Sequence, residues 1–393
     1  MCWYEVPLPG DGQGPPRPTV GDIFRAHAEA FARTHALSEE QRKALHDISV
    51  CRTQVLGGHL DVCENCGYQR PVYNSCRNRH CPSCQALTQA RWMEGRLARL
   101  LPTDYFHVVF TVPDKLLAGI ALRNRELFFD ALFAAGSQTL LQLGEDEKRL
   151  GAQLGLTAVL HTWTRDLRFH PHLHCIVTGG GLTPDGTRWK STPQDYLFPV
   201  RVLSKLFRGK LLAALDNAVR SGRLALGEAP WAPIKDELYR TQWVSYAKEP
   251  FAGPQSVYQY LGRYTHRVGL SNHRLQSVTN QAVTFRTRDE KTATLDPDEF
   301  IRRFLLHVLP HRFVKIRHYG LLAPGNVNSR LADARKLLRA AHASLPPDPE
   351  PTKTIDWRTL LLRLTGVDVT RCPICGGPLR SLPLPTPPPD DTS

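Results

Sequence analysis

At 393 residues the chain is long enough to bury a core of its own, and it reads as one catalytic domain with small appendages. Lys and Arg number 50 against 37 Asp and Glu, a formal charge of +13, which favours a polyanionic partner and points first to nucleic acid. No stretch approaches the roughly 20 apolar residues of a membrane helix, and the start MCWYEVPLPGDGQGPPRP lacks the basic and apolar regions of a signal peptide, so the chain reads as cytoplasmic. Of ten cysteines, eight fall between Cys51 and Cys84 or in Cys372-x-x-Cys375. In a reducing compartment that pattern means metal, not disulfides.

Residues 1–18 are rich in Pro and Gly and are expected to be flexible. A region over 19–101 reads as helical, zinc-binding and DNA-binding. Helices are predicted over Val20–His35 and from Ser38, where Ser38 and Gln41 form a capping-box signature. Cys63-Glu64-Asn65-Cys66 and Cys81-Pro82-Ser83-Cys84 are two knuckles whose four thiolates can close one tetrahedral zinc site. Cys76 and His80 between them, and Cys51 and His59 before them, are candidates for a second site or for replacing a thiolate in the first. Arg70, Arg77 and Arg79 make the segment basic and suggest DNA contact, the alternative being a structural zinc knob. Gln85–Leu101 reads as a basic helix.

The spacing then predicts a strand over Tyr105–Val112, a long helical region over Asp114–Leu143, and an antiparallel pair over Leu156–Thr164 and Phe169–Thr178 ended by Gly179-Gly180-Gly181. An amphipathic helix over Val202–Val219, a helix from Ser256 to Thr265 and a hairpin over Val283–Thr294 follow. Asp296-Pro297-Asp298-Glu299 has the cap, the first-turn Pro and the early acids that start a helix, here running to Val308. Phe304, Phe313 and Tyr319, among Arg302, Arg303, Arg312, Lys315 and Arg317, are either a stacking platform for single-stranded bases or core aromatics beside a wet cationic face. The tail over 331–393 is helical and Pro-rich, with disorder expected from Leu382 onward. Its lone Cys372-x-x-Cys375 is half of a ribbon: its partners come from elsewhere or it is a remnant, and no zinc is expected there. The fold class is α+β, an antiparallel sheet flanked by helices with an N-terminal zinc ribbon.

The most telling run is His170-Pro171-His172-Leu173-His174-Cys175-Ile176-Val177. Alternation places the three histidines on one face of a strand. Imidazoles so placed can share a divalent ion, Mg²⁺ or Mn²⁺, with coordination positions left open to polarise a phosphate. His172 and His174 are the first two ligands, and His170 or His161 of the preceding strand is the candidate third. Further on, Tyr260-Leu261-Gly262-Arg263-Tyr264 puts two tyrosines on one helix face.

His172-Leu173-His174 in an apolar strand is the histidine-hydrophobic-histidine signature of HUH endonucleases. The order of zinc-type cysteines, then HPHLHCIVTGGG, then YLGRYTHR resembles the rolling-circle transposases of the insertion sequence 91 family, from about Cys51 to Tyr319. That resemblance implies a ferredoxin-like, RNA-recognition-motif-like core within a catalytic domain over 102–330. It implies Tyr260 and Tyr264 as nucleophiles that join to a 5′-phosphate of DNA and free a 3′-OH. The substrates would be single-stranded DNA at the element ends and target DNA, with no membrane and no nucleotide cofactor, since the covalent link conserves the phosphodiester energy. Lys248, Arg263 and Arg267 would contact phosphates. The competing functions are a replication initiator or relaxase of the same chemistry, and a non-catalytic zinc-ribbon DNA-binding protein. Oligomeric state stays open.

Overall fold

Two capped helices come first. The Thr19 hydroxyl accepts from the Asp22 amide at the start of α1 (Val20–Thr34), and Asp22 reaches back to the Thr19 amide. Ser38 and Gln41 repeat this box at α2 (Glu39–Ser49), so both helices begin where their sequence predicts, with donors that would otherwise be orphaned satisfied. The structure is a computed structural model that describes residues 17–97, 99–193, 196–251, 256–257, 269–341 and 355–384, with backbone alone at 248–251.

A hairpin of β1 (Gly58–Cys63) and β2 (Gln69–Tyr73) follows, then α3 (Gln85–Leu97) and β3 (Tyr105–Thr111). The predicted long helix is two: α4 (Asp114–Arg123) and α5 (Arg125–Glu145), broken at Asn124 (φ −127°, ψ 43°). The Asn124 amide donates to Ile120 O at 2.9 Å and to Ala225 O at 2.8 Å, so a side chain that competes for backbone carbonyls ends the helix. Next come β4 (Gln153–Trp163), β5 (Phe169–Leu182), β6 (Trp189–Ser191), α6 (Val200–Arg220), α7 (Trp231–Arg240) and β7 (Ser245–Phe251). Past 269 lie β8 (Leu275–Val278), β9 (Val283–Arg286), β10 (Thr292–Leu295), α8 (Pro297–Leu305), β11 (Ile316–Gly320), α9 (Arg330–Ala341), α10 (Trp357–Thr365) and β12 (Leu379–Leu384).

The central sheet is antiparallel with order β11-β4-β5-β3-β7. Successive β3, β4, β5 and β7 are thus interleaved as split β-α-β units: β5 lies between β3 and β4, and β3 between β5 and β7. Helices follow β3 and β5, as that topology needs. Phe106, Val108 and Phe110 of β3, Leu156, Ala158 and Leu160 of β4, and Leu173, Cys175 and Val177 of β5 all point to one face. They pack against Phe128, Phe129, Leu132 and Phe133 of α5 and Leu203, Phe207 and Leu211 of α6. Gly136 lets α5 lie close to the sheet, since a Cβ there would sit 2.7 Å from Leu173 Cδ2. The opposite face carries the histidines.

The glycines after Thr178 do not end β5. The strand continues to Leu182, and β6 joins it there. A Cβ at Gly180 would meet Lys190 O at 2.6 Å and one at Gly181 would meet Gln153 O at 2.5 Å, so close strand approach is what requires glycine.

A second core gathers Phe24 and Phe31 of α1, Leu45 and Ile48 of α2, Phe285 of β9, and Phe300 and Phe304 of α8. Asp296 caps α8 by accepting from the Asp298 amide at 2.8 Å, and the helix ends at Leu305, three residues short of the prediction. Phe304 and Phe313 are buried, so they are core and not a stacking platform. Arg302 and Arg303 both bind Glu299, and Arg317 binds Asp130 and lies over the Phe133 ring. The tail forms a separate three-stranded sheet of order β12-β1-β2, with strand structure through Leu384 where disorder was expected from Leu382. Among the described residues, no helix is long and apolar enough to cross a membrane.

Candidate active site and metal centres

The turn between β4 and β5 sets the register that builds the histidine site. Thr164 and Arg168 close it, with the Thr164 amide donating to Arg168 O at 3.0 Å, the Arg168 amide to Thr164 Oγ1 at 3.0 Å, and Leu167 at φ 63°. This register sets His161 directly opposite His172, and Val159 opposite His174. Directly opposed residues of an antiparallel pair share a face at short range. The ring centroids lie 5.5 Å apart for His161 and His172, 4.4 Å for His161 and His174, and 4.9 Å for His172 and His174. One nitrogen from each of these three rings lies within 4.8 Å of the other two.

His161 therefore stands where the third ligand was sought. His170 does not join the group. It lies past the last β3–β5 pair, Thr111 with His172, and its Nδ1 is 3.4 Å from Asp114 Oδ2 at the start of α4. A cavity of about 450 Å³ opens beside it, lined by Thr111, Asp114, Glu237 and Val244 among others.

The surroundings bear on which nitrogen His172 and His174 can offer. His172 Nδ1 donates to its neighbour's carbonyl, His170 O, at 2.7 Å, which leaves Nε2 as the acceptor atom. His174 Nδ1 is 2.8 Å from His107 Nε2 of β3, and with Nδ1–H donating to His107 its Nε2 becomes the acceptor atom. Trp163 stacks on His161 at 4.6 Å. Burial pushes His172 down to about 4, and burial with three neighbouring imidazoles holds His174 well below the usual histidine range. Both are thus neutral at physiological pH, the form that ligates a metal. Three imidazoles, two of them partly accessible and held neutral by burial, fit a divalent ion with positions left over.

Two more histidines line this face. His318 of β11 has its Nδ1 2.9 Å from Thr157 Oγ1 and accepts from Arg96 of α3 at 3.0 Å, and burial beside Arg96 and Arg99 holds it at about 4. His107 and His318 carried no role in the sequence reading. The signal for His107 was a lone polar ring inside the apolar run YFHVVF; His318, in the mixed run KIRHYG, carried no such signal. Val257, fully buried, packs on Tyr105 and Ile176 of the same face, with Trp92 of α3 against that cluster. Tyr260, Tyr264, Arg263 and Arg267 lie outside the described residues. Lys248 is placed by its backbone alone, opposite His107 in the β3–β7 register.

The cysteines sort differently from their order in the chain. Cys63 and Cys66 do not share a site with Cys81 and Cys84. Cys51, Cys76, Cys81 and Cys84 form one group, and Cys63, Cys66, Cys372 and Cys375 another, the sulfurs in each within 4.8 Å of one another. The reason is the hairpin. Cys63 and Cys66 sit at its tip, whereas Cys51 precedes its base and Cys76–Cys84 follow it, and six residues of β1 separate tip from base by about 20 Å. In the basal group Cys51 and Cys84 are 3.4 Å apart, Cys51 and Cys81 3.6 Å, and Cys76 and Cys84 3.6 Å. These are far longer than a disulfide and close to the edge of about 3.8 Å expected of a tetrahedron with Zn–S bonds near 2.3 Å. Hydrogen bonding within the group divides the thiols: it lowers Cys51, to about 7, and Cys84, and raises Cys76 and Cys81. Thiolate is the ligating form.

His59 and His80 are not ligands of either group. His59 Nε2 is 3.3 Å from Asp61 Oδ1. His80 accepts from the Leu309 amide at 3.1 Å through Nε2 and faces Asn78 Oδ1 through Nδ1, a neutral link between the cysteine loop and the chain after α8. Arg77 is exposed, while Arg79 donates to Phe313 O at 2.7 Å and is half-buried.

Residues 23–112 match a family described as "Transposase zinc-binding domain", and residues 155–330 one described as "Putative transposase". Over 373 residues the chain is 46% identical to "Putative transposase y4qJ" of Sinorhizobium fredii, covering 91% of this chain and 93% of that one. It is 29% identical over 390 residues to the "Transposase for insertion sequence element IS801" of Pseudomonas savastanoi pv. phaseolicola, covering 92% and 88%. No solved structure matches the chain. The zinc-binding match, with the basal cysteine group inside it, supports structural zinc, whereas Cys372 and Cys375 lie outside both matched regions.

Proposed function

The chain belongs to the transposases of the insertion sequence 91 family, and on that premise we propose that it cleaves and rejoins single-stranded DNA at the ends of an insertion sequence through a 5′-phosphotyrosine link. The observation that carries the proposal is the triad of imidazoles, His161, His172 and His174, gathered on one face of the sheet. The interleaved strand order, with two of these histidines on its β5, supports an HUH nuclease core. A Mg²⁺ or Mn²⁺ ion held there would polarise the scissile phosphate.

The protein's own groups do the rest. A tyrosine oxygen attacks phosphorus, its phenolic proton is lost, the bond to O3′ breaks and the leaving oxygen takes up a proton. Rejoining is the reverse with a different 3′-OH, so the phosphodiester bond is conserved and no nucleotide cofactor is consumed. Tyr260 and Tyr264 are the proposed nucleophiles. The chain reaches Tyr260 three residues after Val257, which is buried on the histidine face. Outer partners hold the ligands: His170 O orients His172, and His107 orients His174. Arg77, Lys248, Arg263 and Arg267 are proposed to contact phosphates, consistent with the formal charge of +13.

The test uses 5′- and 3′-labelled single-stranded oligonucleotides from the element ends, with and without Mn²⁺, run on a denaturing gel. The expected result is a metal-dependent protein–DNA adduct that Tyr260→Phe and Tyr264→Phe together abolish. Binding of the correct ends with no adduct would instead make this a DNA-binding protein without strand transfer.

A further inference from the structure

The tail knuckle has the geometry of a metal site, and its partners lie at the other end of the chain. Cys63 Sγ is 3.5 Å from Cys375 Sγ and Cys66 Sγ is 3.6 Å from Cys372 Sγ, across separations of 312 and 306 residues. As in the basal group, these distances suit the edges of a tetrahedral tetrathiolate and exclude disulfides.

The two knuckles are built alike. Cys-Glu-Asn-Cys-Gly and Cys-Pro-Ile-Cys-Gly each end in a glycine at positive φ, 73° at Gly67 and 71° at Gly376. In each, that glycine's amide donates to the first cysteine's carbonyl, at 3.0 Å from Gly67 to Cys63 and 2.9 Å from Gly376 to Cys372. The two fit tightly, since a Cβ on Gly377 would lie 2.6 Å from Asn65 Nδ2.

An independent polar network closes the same module. Asp61, 4% exposed on the central strand β1, accepts from Arg70 of β2 at 3.1 Å and from Ser381 of β12 at 2.8 Å. A buried carboxylate needs such partners, and one of them comes from the tail. β12 pairs with β1 along its whole length, from Gly58–Leu384 to Cys63–Leu379.

We propose that Cys63, Cys66, Cys372 and Cys375 form a second structural zinc site that locks the C-terminal tail onto the N-terminal hairpin. The ribbon is then one module assembled from both ends of the chain, and the catalytic sheet lies in the sequence between its halves. The bound zinc also protects two thiols, Cys66 and Cys375, that are exposed on the surface.

The experiment treats the full-length, zinc-loaded protein with iodoacetamide under native conditions and follows each cysteine by peptide mass spectrometry, alongside zinc content per chain. Cys66 and Cys375 are expected to resist alkylation despite their exposure, and chelation is expected to release Cys63, Cys66, Cys372 and Cys375 together. Alkylation of Cys66 and Cys375 at the rate of free thiols, while Cys81 and Cys84 stay protected, would overturn the proposal. Two zinc ions per chain are expected, falling to one in Cys372→Ser/Cys375→Ser, in Cys63→Ser/Cys66→Ser and in all four substitutions combined. Two ions retained in the tail variant would also overturn it. The alkylation result on the wild-type chain stands even where a variant does not fold.

Discussion

The two faces of the central sheet are made by alternate residues of the same strands, yet they do different work. On β5, Leu173, Cys175 and Val177 disappear under α5 and α6, while His172 and His174, one residue away, face their partner His161 on β4. The apolar face is filled by interdigitating side chains, where shape and volume set stability. The histidine face is held by hydrogen bonds that set the direction of ring nitrogens: His172 to His170 O, His174 to His107, His318 to Thr157 and Arg96. One strand thus separates the packed face from the face of the proposed chemistry by side-chain parity alone. A slip of one residue in register would exchange the two faces, so the Thr164–Arg168 turn serves both.

Substitutions at neighbouring positions can break that division. Leu173→Ala is expected to have the largest effect, about 2–5 kcal/mol of stability by urea denaturation, because it opens a cavity under Gly136 and Phe110. Its Mn²⁺ affinity, by calorimetry, should stay at the wild-type value. His172→Ala should do the opposite. Strand cleavage on labelled oligonucleotides is expected to fall about 100-fold or more, at least the upper range for losing an outer partner of a ligand, while the urea midpoint hardly moves. If His172→Ala unfolds as readily as Leu173→Ala, the faces are not divided as described.

A smaller effect is expected one layer out. His107→Ala leaves His174 as a ligand without its orienting partner, and Mn²⁺ affinity should drop about 10- to 100-fold. A fall confined to the catalytic rate, with affinity unchanged, would instead put His107 in contact with substrate. The smallest effect is a pH slope. His307, 2% exposed, has its Nδ1 3.2 Å from Thr162 Oγ1 and donates through Nε2 to Leu167 O at 3.1 Å, and burial pushes it down to about 3. Its folded value lies below that of the unfolded chain, near 6.5, so the unfolded state binds the extra proton between those values. The stability it contributes is complete above pH 6.5 and is lost as pH falls toward 3, about 1.4 kcal/mol by pH 5.5. Melting temperature should therefore decline on acidification, and His307→Gln should flatten that decline. An unchanged slope would mean that His307 is already protonated when folded.

Much of this was legible from residue order. Capping boxes, the helix start at Asp296-Pro297 and the alternation in β5 are patterns with periods of a few residues, and each formed where the pattern stood. The two-residue period also told which face the histidines would share. Where a reading failed, a second segment was involved. Of the two candidate third ligands left open, His161 and not His170 groups with His172 and His174, because the β4–β5 register, and not the spacing within β5, decides which ring comes near. The glycines after Thr178 continue a strand because β4 and β6 approach there.

The cysteines draw the boundary most clearly. The sequence by itself determined that C-x-x-C pairs would form knuckles, since two residues between thiols allow both to face one point. It could not determine which knuckles meet. Cys63-x-x-Cys66 is 15 residues from Cys81-x-x-Cys84 in the chain and more than 300 from Cys372-x-x-Cys375, yet a hairpin carries it away from the first and the pairing of β12 with β1 brings it to the second. Local geometry follows from neighbours in the chain. Partnership follows from strand pairing and burial, which only the tertiary structure decides.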